Sequence, residues 1–122
     1  MKPQQVFDKV ITHLKTQGEA AFDEETDGCC YRLIKNGKTL MCAAGCLIPD
    51  DKYNPDFECL TITHLRDEGL DVPVITENIS LVQKLQNFHD GLFKMYGFDH
   101  PESRAYLVAI AKQEKISLDI LN

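Results

Sequence analysis

Apolar residues fall into helical registers at both ends of this chain and into a short extended pattern between them. From Pro3 to Gln17, Val6, Phe7, Val10, Ile11 and Leu14 recur at three- and four-residue steps and predict a helix with one apolar stripe. Pro3 suits the first turn and Gly18 the stop. His13 lies at the stripe's edge, where a partly buried ring with a local partner is expected. Glu19 to Gly28 forms an acidic connector, with Ala20, Ala21 and Phe22 packing its start on the first helix. The clearest β signal follows. Cys30-Tyr31-Arg32-Leu33-Ile34-Lys35 and Lys38-Thr39-Leu40-Met41-Cys42 flank Asn36-Gly37. Both turn residues tolerate positive φ, so the spacing predicts a type I′ hairpin over about residues 29–42. A lone hairpin is marginal in water, so one face must lie against helices.

Ala43-Ala44-Gly45-Cys46-Leu47-Ile48 predicts a short buried helix or tight turn ending before Pro49, its small residues allowing a close backbone approach. Asp50 to Pro55 is a polar loop. Asn54 is expected to cap a helix over roughly Asp56–Glu68, with Phe57, Leu60 and Leu65 inward and the β-branched Thr61-Ile62-Thr63 weakening it. Leu70–Ile75 is a short extended link. Asn78–Tyr96 is the longest predicted helix, with Leu81, Leu85, Phe88, Leu92 and Met95 inward, Val82, Phe93 and Tyr96 flanking, and Gly91 marking a close approach. Asp99 is expected to cap the last helix, with Tyr106, Leu107, Ile110 and Ala111 as its apolar side and one more turn over Ser117–Leu121. The reading is an α+β, mainly helical single domain over residues 1–122, with about four helices packed on a small antiparallel hairpin. Leu33, Leu40, Cys42 and Leu47 are expected to meet Val10, Leu85, Phe88 and Ile110 in one core.

Composition narrows the classes. The chain of 122 residues carries 13 Lys and Arg against 19 Asp and Glu, a net charge of −6. No cluster of cations is available to displace counterions from phosphates, so nucleic-acid binding is not expected. The acidic stretch Glu19, Asp23, Glu24, Glu25, Asp27 reads as a solvated loop, not as a nucleic-acid mimic. No apolar run is long enough for a membrane span, and the opening residues predict no secretory signal. Five cysteines, an odd number, point to reduced thiols in a cytosol and not to a disulfide framework. Cys30, Cys42, Cys46, Cys59 and His64 could furnish a zinc site, but no CxxC knuckle is present and buried thiols of the core are the simpler reading. No metal or cofactor is expected.

Candidate chemistry gathers around the hairpin and the loop after it. Tyr31 and Arg32 are adjacent in an extended strand and point to opposite faces. Tyr31 is expected inward and Arg32 outward, paired with Asp50 or Glu58. Asp50, Asp51 and Glu58 surround a turn carrying Tyr53 and could bind a cation or act as acid and base. Arg32, Asp50, Asp51, Tyr53 and Glu58 are the candidate binding residues. Cys42 lies where a strand hands over to a helix start. There, backbone N–H groups could lower its pKa and make it a reactive thiol, with His13, His64, His89 or His100 as base. No phosphate loop, zincin motif or nucleophile elbow is present, so no catalytic residue is assigned.

Tyr31-Arg32, Gly37, Cys42-Ala43-Ala44-Gly45-Cys46-Leu47-Ile48-Pro49-Asp50-Asp51, Tyr53, Pro55 and Glu58 together resemble the core motif of a family of small uncharacterised proteins of tailed phages, prophages and some bacteria. That pattern runs YR…G…CAxGxLIPD…Y.P..E and covers about a quarter of this chain; Cys46 stands at a position where it varies. The resemblance implies an accessory protein of phage type in a bacterial cytoplasm. The leading expectation is therefore a small acidic protein that binds a host or phage protein and modulates a host process or defence. A small enzyme or small-molecule binder using Cys42, Arg32 and the carboxylates is the first alternative, and a structural zinc protein the second. An exposed Tyr106 and Leu107 on the last helix would supply a homodimer contact.

Overall fold

In the computed structural model, which describes all of residues 1–122, helix α1 (Pro3–Gln17) is the central support. Val6, Phe7, Val10, Ile11 and Leu14 are all fully buried along one stripe, and Gly18 ends the helix in the left-handed conformation. Two small antiparallel ribbons follow. Strands β1 (Phe22–Asp23) and β2 (Gly28–Cys29) pair Phe22 with Cys29. Strands β3 (Arg32–Lys35) and β4 (Lys38–Met41) form the predicted hairpin, pairing Leu33 with Leu40 and Lys35 with Lys38. Asn36 and Gly37 both have positive φ, as a type I′ turn demands.

The chain then makes a buried 3-10 turn, Gly45–Leu47. Gly45 is essential here: a Cβ at this position would overlap the backbone carbonyl of Tyr31. The predicted close approach therefore falls at Gly45. At Gly91 a Cβ would meet nothing within 4 Å, contrary to expectation.

The single helix expected over Asp56–Glu68 is two pieces. A 3-10 turn, Pro55–Phe57, is capped by Asn54, whose side chain accepts from the Asp56 N–H. Helix α2 (Ile62–Asp67) starts separately, capped by Thr61 Oγ1 accepting from the His64 N–H. Thr61 is thus a cap and not a weak interior position. Between the pieces Cys59 adopts φ 69°, which no α-helix allows. The link expected to be extended contains one helical turn, α3 (Pro73–Thr76), begun by its proline.

The long helix spans nearly the predicted range but is not uniform. Helix α4 (Ile79–Phe88) passes through one π-helical turn, His89–Phe93, into α5 (Lys94–Tyr96). A π turn holds more residues than an α turn, so everything downstream rotates. Phe93, five residues after Phe88, continues the buried stripe; Leu92 is half-buried against the core, and Met95, expected inward, is 65% exposed. Helix α6 (Pro101–Glu114) is capped by His100, whose Nδ1 accepts from the Glu102 N–H, in place of Asp99. Leu107 and Ile110 are buried, and Tyr106 stacks on Phe88 at 6.1 Å between ring centroids. The exposed Tyr106–Leu107 pair that a dimer contact was to use does not exist.

The core unites α1, the Cys42–Ile48 segment, α2, α4 and α6 around Phe7, Phe88 and Leu85. The protein is α+β and mainly helical, with five helical segments when α4 to α5 is taken as one rod. Cys42, Leu47, Val10, Leu85, Phe88 and Ile110 meet as expected; Leu33 is only half-buried, and Leu40 is buried outside the main cluster. No helix is long and apolar enough to cross a membrane.

Candidate functional site

Four of the five sequence-derived binding residues meet in one network. The Arg32 guanidinium donates from Nη2 to the Ile48 carbonyl at 2.7 Å and pairs from Nη1 with Asp50 Oδ1 at 2.8 Å. Its Cζ lies 4.5 Å from the centre of the Tyr53 ring. Tyr53 in turn donates its hydroxyl to Glu58 Oε2 at 2.6 Å. Glu58 also accepts the backbone N–H of Tyr31 on Oε1 at 2.9 Å and that of Arg32 on Oε2 at 3.1 Å. Burial, then the bonded Glu58 carboxylate, pushes the Tyr53 hydroxyl up to about 12. Asp51 is exposed and stands outside the network.

These contacts are internal. They tie the loop of residues 50–58 to the start of β3, and they account for the polar valences of Glu58 and Tyr53. The Arg32–Asp50 pair leaves the Asp50 side chain 96% exposed, so its energetic weight is small. Tyr31 turns inward as expected, buried, with its hydroxyl donating to the Leu60 carbonyl at 2.5 Å. The network is a latch, and it does not line a cavity that also holds Cys42.

Cys42 is fully buried. Its Sγ accepts the Gly45 N–H at 3.2 Å, the helix-start donor anticipated from sequence. Desolvation nevertheless outweighs that bond and drives the thiol pKa upward, the reverse of what a reactive thiol needs. The five residues weighed for zinc do not form one cluster: Cys30, Cys42 and Cys59 border a common cleft, but Cys46 does not line it and His64 lies on the surface of α2, 3.5 Å from Glu68.

The concave feature of interest lies beside Cys42 and apart from the latch. A cleft of about 410 Å³ opens between the Cys29–Tyr31 segment, residues 59–62 and one face of α4. Phe22, Tyr31 and Ile62 give it apolar walls. Gln83, Gln86, Asn87, Asp90 and Lys94 line its helical side, at the spacing of one helix face. Sequence reasoning passed over this face, although its polar periodicity beside the apolar stripe of α4 was the available signal.

At the back of the cleft His89 is fully buried. Its Nε2 lies 3.0 Å from the Ala21 backbone N–H, which must donate to it. A neutral imidazole has one lone pair, so Nδ1 carries the proton and donates to Asp90 Oδ1 at 2.7 Å. That oxygen also accepts from Gln86 Nε2 at 2.8 Å, and Gln86 Oε1 accepts the Ala44 N–H at 2.9 Å. Burial and then the neighbouring Asp90 carboxylate push the Cys29 thiol up to about 12. Cys29, His89 and Asp90 place ligand atoms within 4.8 Å of one another, a spacing a metal could use. The lone pair that would bind it is already committed to Ala21, so the set fits a structural hydrogen-bond chain and not a metal centre. The same commitment removes His89 as a general base, since neither nitrogen faces a substrate with a free lone pair.

Two amides and an ammonium on the helical side remain for a ligand. Gln83 Nε2 donates to Asn87 Oδ1 at 2.9 Å on the cleft side of α4. Whichever way the two amides are turned, one donor group and one acceptor remain outward. Lys94 holds its ammonium 4.6 Å from the centre of the Phe22 ring at the cleft's edge. No family model matches the chain, and no curated protein or solved structure does.

Proposed function

We propose that this chain is a non-enzymatic binding protein whose cleft along α4 receives a segment of a partner protein. The observation that carries the reading is the Gln83–Asn87 pair, bonded to each other at 2.9 Å and lining the cleft. Its outward donor and acceptor match the C=O and N–H of a peptide group. Phe22, Tyr31 and Ile62 offer apolar wall for one adjacent side chain, in a volume of about 410 Å³ that suits a short segment. The buried imidazole and the thiol nearest it are spent: His89 on Ala21 and Asp90, and Cys29 held protonated beside Asp90. A net charge of −6 argues for a protein partner over a nucleic acid.

The setting comes from the resemblance of residues 31–58 to phage and prophage proteins. It makes the partner a host or phage protein in a bacterial cytoplasm and the role accessory, the modulation of a host process or defence. The Arg32, Asp50, Tyr53 and Glu58 latch supports the cleft by fixing the segment that carries Tyr31 and Leu60, and Asp51 marks the rival contact surface on the loop.

The test compares capture from bacterial lysates by the wild type, Asn87→Arg and Asp51→Arg. A stoichiometric partner retained by Asp51→Arg and lost with Asn87→Arg is the expected result. Loss with Asp51→Arg alone would move the contact to the loop, and no partner across several hosts would end the binding reading.

A further inference from the structure

We propose that Cys30 and Cys59 form a dithiol site on the wall of the cleft that reacts with a low-molecular-weight disulfide, such as oxidised glutathione, and closes to an intramolecular disulfide. Both residues line the cleft, Cys59 exposed and Cys30 half-buried. The segments that carry them are stitched on both sides. Glu58, just before Cys59, accepts the N–H groups of Tyr31 and Arg32, just after Cys30. Leu60, just after Cys59, accepts the Tyr31 hydroxyl. Cys59 is held between those anchors at φ 69°, a conformation uncommon for a side-chain-bearing residue and typical of positions fixed by their surroundings.

The remaining thiols are otherwise engaged. Cys42 is fully buried and accepts from Gly45, Cys46 donates to the Ala43 carbonyl at 3.1 Å, and Cys29 sits against Asp90. Cys29 and Cys42 border the same cleft, so Cys30 and Cys59 are the two lining thiols left without such a partner.

The chemistry balances in two exchanges. The Cys59 thiolate attacks one sulfur of oxidised glutathione, its S–S bond breaks, and one glutathione thiolate leaves. Cys30 then loses its proton to solvent and attacks Cys59 Sγ, expelling the second glutathione thiolate. The protein dithiol is oxidised by two electrons and one oxidised glutathione is reduced to two thiols. Burial, then Glu58 and Asp23, raises the pKa of Cys30, so the second exchange accelerates as pH rises above neutrality.

The site is independent of the partner-binding reading, because it is scored on the isolated chain. Fully reduced native protein is titrated with oxidised glutathione, and the products are read by intact mass, thiol titration and peptide mapping. Expected are a mass lower by two hydrogen atoms, a fall in free thiols from the five in the chain to three, and a Cys30–Cys59 cross-linked peptide. Dithiothreitol should reverse all three. The Cys30→Ser variant should stop at a glutathione adduct on Cys59, while Cys29→Ser should still close. A persistent adduct in the wild type, a different cysteine pair, or five unreacted thiols would each overturn the proposal.

Discussion

Removing the Glu58 carboxylate should unlatch the hairpin from the loop that follows it. Glu58 accepts three bonds, from the backbone N–H groups of Tyr31 and Arg32 and from the Tyr53 hydroxyl, at 2.9, 3.1 and 2.6 Å. Bonds to an ionised acceptor contribute about 1.5–3 kcal/mol each. The group is half-buried, so water recovers part of the loss and the three bonds are not additive. Glu58→Ala should therefore cost about 3–4 kcal/mol, a large share of the roughly 6–15 kcal/mol expected for a chain of this size. Tyr53→Phe removes one of the bonds and should cost about 1 kcal/mol. The assay is urea unfolding followed by far-ultraviolet circular dichroism, with the midpoint shift converted at constant slope. A cycle of Tyr53→Phe with Glu58→Gln should return a coupling of about 1 kcal/mol. A Glu58→Ala variant within about 1 kcal/mol of the wild type would refute the latch, because the loss of three bonds to one charge exceeds that value.

Gly45→Ala would drive a Cβ into the Tyr31 carbonyl, a backbone atom that has no rotamer to escape to; a loss of more than about 3 kcal/mol is expected, and normal urea stability would contradict the close approach. His89→Phe fills similar space but leaves the Ala21 N–H buried without its acceptor, so about 2–3 kcal/mol should be lost and the Ala21 amide should exchange faster with solvent, whereas unchanged exchange would show that His89 is not its partner. Stability should also fall in alkali. Burial holds the Cys29 and Cys46 thiols up to about 12, while unfolded cysteine titrates near about 8.5. The unfolded chain releases these protons first, so stability is complete below about pH 8.5 and declines as pH rises toward about 12. A urea midpoint that stays flat over that window, or a decline that Cys29→Ser with Cys46→Ser does not lessen, would count against protonated thiols in the fold; Cys30 and Cys42, also raised, account for the decline that remains.

Local signals were sufficient where an element is fixed by its own residues. The α1 stripe and the Asn36-Gly37 turn are set by spacing and by φ preference, and both appear at their expected positions. The departures lie where a distant partner decides. The expected Asp56–Glu68 helix breaks because Glu58 is drawn to N–H groups 26 and 27 residues earlier in the chain, and Cys59 takes a left-handed turn between that anchor and Leu60. Likewise α4 widens into a π turn at the residue whose ring reaches Ala21, 68 residues away. No window of sequence around either position contains the group that it bonds.

The candidate site divides along the same line. Arg32, Asp50, Tyr53 and Glu58 were identifiable because charges and hydroxyls near a turn seek one another; what the residues alone did not reveal is that their bonds would run to one another and to the backbone, leaving over only a buried Arg32 Nε and an exposed Asp50 carboxylate. A polar cluster whose bonds are internal fixes geometry, and a polar face with valences to spare recognises ligands. By that criterion the functional weight passes from the loop to α4, where Gln83 and Asn87 bond to each other and still turn a donor and an acceptor toward the cleft. The fully buried His89 then has a definite task. By accepting the Ala21 N–H and donating to Asp90, it fixes the floor of the cleft against the start of β1. The opposite wall, the segment that carries Cys59, is fixed in its turn by the bonds from the Tyr31 and Arg32 N–H groups to Glu58 and from the Tyr31 hydroxyl to Leu60.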